Sequence, residues 1–160
     1  MKTHQPFLRP LITLAAGLMV AAVVSGPAQD LKPNEIGISG TITKTFTPTS
    51  SEAGAAGGRI VISLREKTVG AVSLTLPPNT KPGTYVIGGR NSRPAAAFLG
   101  EYDVFAPDQA SYLSSAGSLV LTFTGSAYSG YFRFQAINEK DAAKSIWVIG
   151  SFTDVPFKSN

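Results

Sequence analysis

The chain has 160 residues, with 14 Lys or Arg against 10 Asp or Glu, a formal net charge of +4, no cysteine, and a single histidine at position 4. That histidine falls in an N-terminal leader, so the remainder has neither His nor Cys. Disulfides, Cys/His zinc sites, Cys/His or Ser/His nucleophilic catalysis, and iron–sulfur or His-ligated haem chemistry are thereby excluded.

In chain order, Lys2, His4 and Arg9 precede the apolar run Leu11 to Val24, and the small residues Ser25, Gly26 and Ala28 follow it. A basic start, a short apolar run and small residues predict a secretory signal peptide over 1–28, cleaved after Ala28. The run is too short for the ~20 residues of a membrane span. Cleavage leaves twelve basic against ten acidic residues, a net charge of +2. The basic residues are scattered, which argues against nucleic acid as a partner. About 130 residues suit one domain, expected over 36–156, with a flexible lead-in at 29–35 and a tail at 157–160.

Ile36, Ile38 and Ile42 alternate with small residues and predict a first strand. From Thr47 to Gly58 the chain is poor in large apolar groups and reads as a mobile loop or a binding loop, with composition favouring mobility. Ile60 to Leu64 and Val69 to Leu76 read as a hairpin turning at Arg65 to Lys67, and the prolines and glycine from Pro77 to Gly83 stop it. Thr84 to Ile87 is a further strand. The loop from Gly88 to Pro94 carries Arg90 and Arg93, a candidate anion nest. Phe98, Tyr102 and Val104 alternate with Leu99, Glu101 and Asp103 up to Pro107, and Ala110 to Ser118 reads as a Ser/Ala-rich connection with room for one helical turn.

The last third, Gly117 to Pro156, has the clearest pattern. Leu119, Leu121 and Phe123 alternate with polar or β-branched residues, and so do Phe132, Phe134 and Ala136 after the turn from Gly125 to Gly130. Keeping apolar faces together predicts Phe123 opposite Phe132, Leu121 opposite Phe134 and Leu119 opposite Ala136. A third strand then puts Val148 opposite Phe132, Ile146 opposite Phe134 and Gly130 opposite Gly150. The outer face of this meander carries Thr122, Arg133 and Trp147 in one line, with Tyr131 beside Ile149 and Gln135 beside Ser145.

About eight short strands with turn signals every 8 to 12 residues predict an all-β domain, an antiparallel sandwich or small barrel. The candidate ligand face is Trp147, Tyr131, Arg133 and Gln135. Aromatic rings on a sheet offer a platform for sugars or an apolar patch, and a guanidinium over the sole Trp gains about 0.5 to 1 kcal/mol if exposed. Glu101, Asp103 and Asp108 are a remote candidate for calcium, and the first two for an acid/base pair of the glycosidase type. No cofactor is implied.

The leader, together with Pro82 to Tyr85, Gly117 to Phe123, Ser129 to Phe134 and Val148 to Pro156, resembles small exported bacterial β-domains of unknown function, often lipoproteins. The lipidated cysteine of such proteins is absent. The resemblance covers about the last half of the chain and implies an envelope or secreted location, with no activity attached. The resulting expectation is a non-enzymatic exported β-domain that binds or scaffolds an envelope protein or a glycan. The alternatives are a carbohydrate or small-ligand module using the Trp147 face or a barrel interior, and a hydrolase using Glu101 and Asp103.

Overall fold

The computed structural model describes residues 30–89, 98–105 and 109–158. Within them all regular structure is β. The strands are β1 (Ile36–Gly40), β2 (Lys44–Phe46), β3 (Ser50–Ala56), β4 (Arg59–Glu66), β5 (Gly70–Leu76), β6 (Gly83–Gly88), β7 (Leu99–Val104), β8 (Ala110–Phe123), β9 (Ala127–Asn138) and β10 (Ser145–Lys158). The expected leader, with Arg90, Arg93 and Asp108, lies outside the described residues.

Seven strands form a closed ring. β3, β4, β5, β7, β8, β9 and β10 pair antiparallel in that order. β10 returns to β3 through two parallel pairs, Phe157 with Ala53 and Lys158 with Gly54. The fold is therefore a barrel, with β1 and β2 added along β10 and β6 added along β8. Closure removes most of the free sheet edge that would template pairing with other chains.

Two strands change neighbours part-way along, and each does so at a bulge. In β8 the register shifts between Ser114 and Ala116, where its partner on one side passes from β7 to β6. Ser114 stitches that junction: its hydroxyl donates to the Gly88 carbonyl (2.6 Å) and accepts from the Gly100 N–H (3.0 Å). In β10 the shift falls between Phe152 and Val155. There Asp154 adopts a φ of 52°, and its N–H donates to Ser129 Oγ at 2.9 Å. A bulge bends its strand and increases the local twist, and past this one β10 has left β1 and reaches β3.

The inward faces are those set by alternation. Ile60, Ile62 and Leu64 of β4, Val72, Leu74 and Leu76 of β5, and Phe132, Phe134 and Ala136 of β9 are all buried. Together with Tyr102, Leu119, Leu121, Ile146 and Val148 they form one continuous apolar cluster that fills the interior. Glycine makes room for the rings. A Cβ on Gly100 would lie 2.7 Å from the Phe134 ring, and one on Gly150 would lie 2.8 Å from that of Phe132.

The structure corrects the expected registers. Leu119 meets Phe132, Leu121 meets Gly130 and Phe123 meets Tyr128, a slip of four residues in β8–β9. β9–β10 slips by two, so Phe134 faces Val148, Phe132 faces Gly150 and Gly130 faces Phe152. Both slips are even and leave every side chain on its expected face. Alternation selects parity, whereas the turn selects position. The β8–β9 turn is shorter than Gly125 to Gly130, closing with the Thr124 N–H on the Ala127 carbonyl at 3.1 Å. Each glycine thus lies opposite a phenylalanine instead of opposite the other glycine.

Two stretches expected to be irregular are strands. Residues 50–56 pair residue for residue with β4, from Ser50–Arg65 to Ala56–Arg59, around a turn at Gly57 and Gly58 with φ of 56° and 72°. A ladder needs backbone groups more than large side chains, and Ala53, 1 % exposed, is the one fully buried residue of β3. Ala110 to Ser118, expected to be a connection, is the first half of β8. The β4–β5 turn lies at Lys67 to Val69, two residues later than expected. Glu66 Oε2 holds it by accepting from the N–H groups of Thr68 and Val69 and from the Thr68 hydroxyl, contacts that keep this carboxyl below its usual range.

Candidate functional site

The outer face of β6, β8, β9, β10 and β1 is assembled row by row from the registers. One row sets Val86, Ser118, Arg133, Ile149 and Gly37 abreast. The next, on one side, sets Gly88, Ala116, Gln135, Trp147 and Ser39 abreast. On the other side run Thr84, Val120, Tyr131 and Ser151. Ser118 therefore stands beside Arg133 where Thr122 was expected, Tyr131 stands beside Ser151, and Gln135 stands beside Trp147.

The four ligand-face candidates are nevertheless brought together. Arg133 and Trp147 sit diagonally across β9 and β10, and the guanidinium carbon lies over the indole at 5.0 Å from the ring centroid. The stacking anticipated from sequence is present, and it closes one face of the Trp147 ring with the protein's own charge. Ile149, directly opposite Arg133, is 4 % exposed although it points outward. Tyr131 at 47 %, Val120 at 44 % and Val86 at 80 % are exposed toward β6 and β8, and Ile137 at 37 % is exposed on the indole side, two residues along β9 from Gln135.

The polar groups beneath are poorly matched. Arg133 Nε and Nη2 and Ser39 Oγ are buried and have no hydrogen-bond partner among the described residues. Buried donors without acceptors cost about 1–3 kcal/mol each, so this face carries an electrostatic cost that an apolar side chain at 133 would avoid.

Of the remaining candidates, Glu101 and Asp103 do converge. The Ser111 hydroxyl lies 2.7 Å from Asp103 Oδ1 and 3.0 Å from Glu101 Oε1, bridging β7 and β8. One hydroxyl has one proton, so it donates to one carboxylate at a time. Among the described residues no group of three or more His, Cys, Asp or Glu is placed to hold a metal ion. Val86 and Val120 were missed as site residues. Their alternation with Tyr85, Ile87, Leu119 and Leu121 was the signal that they face outward.

A family model described as "Domain of unknown function (DUF6252)" matches residues 39–156. The chain belongs to this family. The DUF6252 match contains Tyr131, Arg133, Gln135 and Trp147, with Val86 and Val120. The sheet extends past the matched span on both sides: Ile36 and Ile38 of β1 pair on β10, and Phe157 and Lys158 close the ring on β3. No curated protein and no solved structure matches the chain. Among the described residues no helix is long and apolar enough to cross a membrane.

Proposed function

We propose that this is a non-enzymatic, exported binding domain whose outer face, centred on Tyr131 and Arg133, recognises an envelope protein or a glycan. The observation that carries the reading is the presence of a guanidinium on that face with two nitrogens buried and, among the described residues, unbonded, stacked on the sole Trp beside an exposed Tyr. An arrangement that costs stability and displays an aromatic ring with adjacent apolar side chains fits recognition better than it fits scaffolding of the barrel. Gln135 adds a directional donor and acceptor next to the indole.

A glycan is accommodated differently from the sequence expectation. Because Arg133 covers one side of Trp147, the free stacking platform is Tyr131, with Trp147 fixing the arginine from behind. Among the described residues the barrel interior is filled by a continuous apolar core, which favours the outer face over the interior as the place for a ligand.

The test is a titration of the mature domain with a panel of soluble glycans, read by Trp147 emission, with a photo-crosslinking residue at position 131 in the producing cell as a second arm. A saturable emission change, or an adduct at 131 that disappears in Arg133→Ala, supports the proposal. No change with any glycan and no Arg133-dependent adduct would overturn it.

A further inference from the structure

A concave feature lies at one end of the barrel, away from the Trp147 face. It is a cleft of about 580 Å³ between the β1–β2 turn, the β9–β10 loop and the start of β8. Three lysines and one aspartate are among its lining residues: Lys44 at the start of β2, and Lys140, Asp141 and Lys144 on the β9–β10 loop. Lys144 Nζ lies 3.5 Å from Asp141 Oδ2. Lys44 and Lys140 have no carboxylate within ion-pair distance among the described residues. The floor is apolar. Val104 and Tyr112 are buried there, and Ile42 is half-buried at the side.

The walls are held before any ligand arrives. Thr41 donates from both its N–H (3.1 Å) and its hydroxyl (3.0 Å) to the Ser145 carbonyl, tying the β1–β2 turn to β10. Asn138 Oδ1 accepts from the N–H groups of Lys140 (2.8 Å) and Asp141 (3.0 Å), and the Glu139 N–H donates to the Ser111 carbonyl (3.0 Å). The loop carrying two of the lysines is thus pinned at its base to its own strand and to β8. A fixed concavity of this size, with an apolar floor and a few convergent charges, is the usual form of a small-molecule site. With Asp141 paired to Lys144, Lys44 and Lys140 leave an excess of positive charge around the cleft, which raises the local concentration of anions.

We propose that this cleft binds a small organic anion with an apolar body, its carboxylate or phosphate held by Lys44 and Lys140 with Lys144 beside them, and its carbon chain laid on Ile42, Val104 and Tyr112. The site is independent of the outer face. Lys44 and Lys140 discriminate charge, and the floor discriminates the apolar body from a bare inorganic ion.

The experiment is calorimetric titration of the mature domain with four probes, each below its micellar concentration: octyl phosphate, octanoate, octyl glucoside and inorganic phosphate. Octyl phosphate or octanoate is expected to bind at least tenfold more tightly than octyl glucoside and than inorganic phosphate. That binding should weaken about tenfold in a Lys44→Gln, Lys140→Gln variant of unchanged melting temperature, and it should leave Trp147 emission unmoved. Amide shifts on binding should fall on residues 41–44, 110–112 and 138–144. Any of four results overturns the proposal: no binding by either charged amphiphile; equal binding by octyl glucoside; equal binding by inorganic phosphate; or undiminished binding by the double variant. Failure here leaves the outer-face reading intact, because the two sites share no residue and only the outer face reports through Trp147.

Discussion

Replacing Arg133 by Met separates a recognition role from a structural one. The guanidinium gains about 0.5–1 kcal/mol from the Trp147 ring, rising to about 2 if well desolvated. Against this, Nε and Nη2 are buried without acceptors among the described residues, at about 1–3 kcal/mol each for a fully desolvated donor. Methionine has a similar reach, keeps contact with the indole and the neighbouring Ile149, and removes both orphaned donors. Arg133→Met is therefore expected to be as stable as the parent or about 1 kcal/mol more stable, while losing recognition at the outer face. Urea unfolding followed by Trp147 emission measures this. With a slope of about 1.5 kcal/mol/M for a domain of this size, the midpoint should rise by up to about 0.7 M. A loss of 2 kcal/mol or more would refute the reasoning and make the guanidinium a structural brace. Arg133→Lys, which keeps the charge without the planar stack, should lose recognition without gaining stability.

Burial first, and then the neighbouring Tyr112, push the Tyr102 phenol from its ordinary value near 10 up to about 12. Its folded pKa is raised, so the associated stability is complete below pH 10 and is lost as pH rises from 10 to 12, about 3 kcal/mol over that window; alkaline melting curves should show it. Because the Tyr102 hydroxyl is buried without a partner among the described residues, Tyr102→Phe should be at least as stable at pH 7 and should lose that part of the alkaline sensitivity. Gly117→Ala would put a Cβ against the Arg133 carbonyl and 2.5 Å from Phe134 Cβ; a loss of about 1–3 kcal/mol or more is expected, and an unchanged melting temperature would contradict the β8–β9 register. Ending the chain at Pro156 removes both parallel pairs that close the ring, so hydrogen exchange should rise along Ser50 to Ala56 while β8 and β9 stay protected; uniform protection would show closure to be unimportant.

The sequence by itself determined the class of fold, the parity of almost every strand and the composition of the core. Alternation at Ile60–Leu64, Val72–Leu76, Leu119–Phe123 and Phe132–Ala136 is a local property, and burying one face of each strand leaves a single consistent assignment. It also determined which chemistries lack their residues, and it placed Arg133 and Trp147 on the same side of the sheet. Tertiary structure decided what period 2 cannot encode. A slip by an even number preserves every face, so the registers of β8–β9 and β9–β10 were set by a tight turn and by phenylalanines packed against Gly130 and Gly150. The strand at Ser50–Ala56 was hidden because its side chains are small, and what makes it a strand is the backbone ladder to β4. Closure was equally invisible, since a parallel seam between Phe157–Lys158 and Ala53–Gly54 joins segments about a hundred residues apart through the bulge at Asp154. The lysine cleft follows from the same cause: Lys44 and Lys140 become neighbours only after β1 and β9 have both been laid along β10.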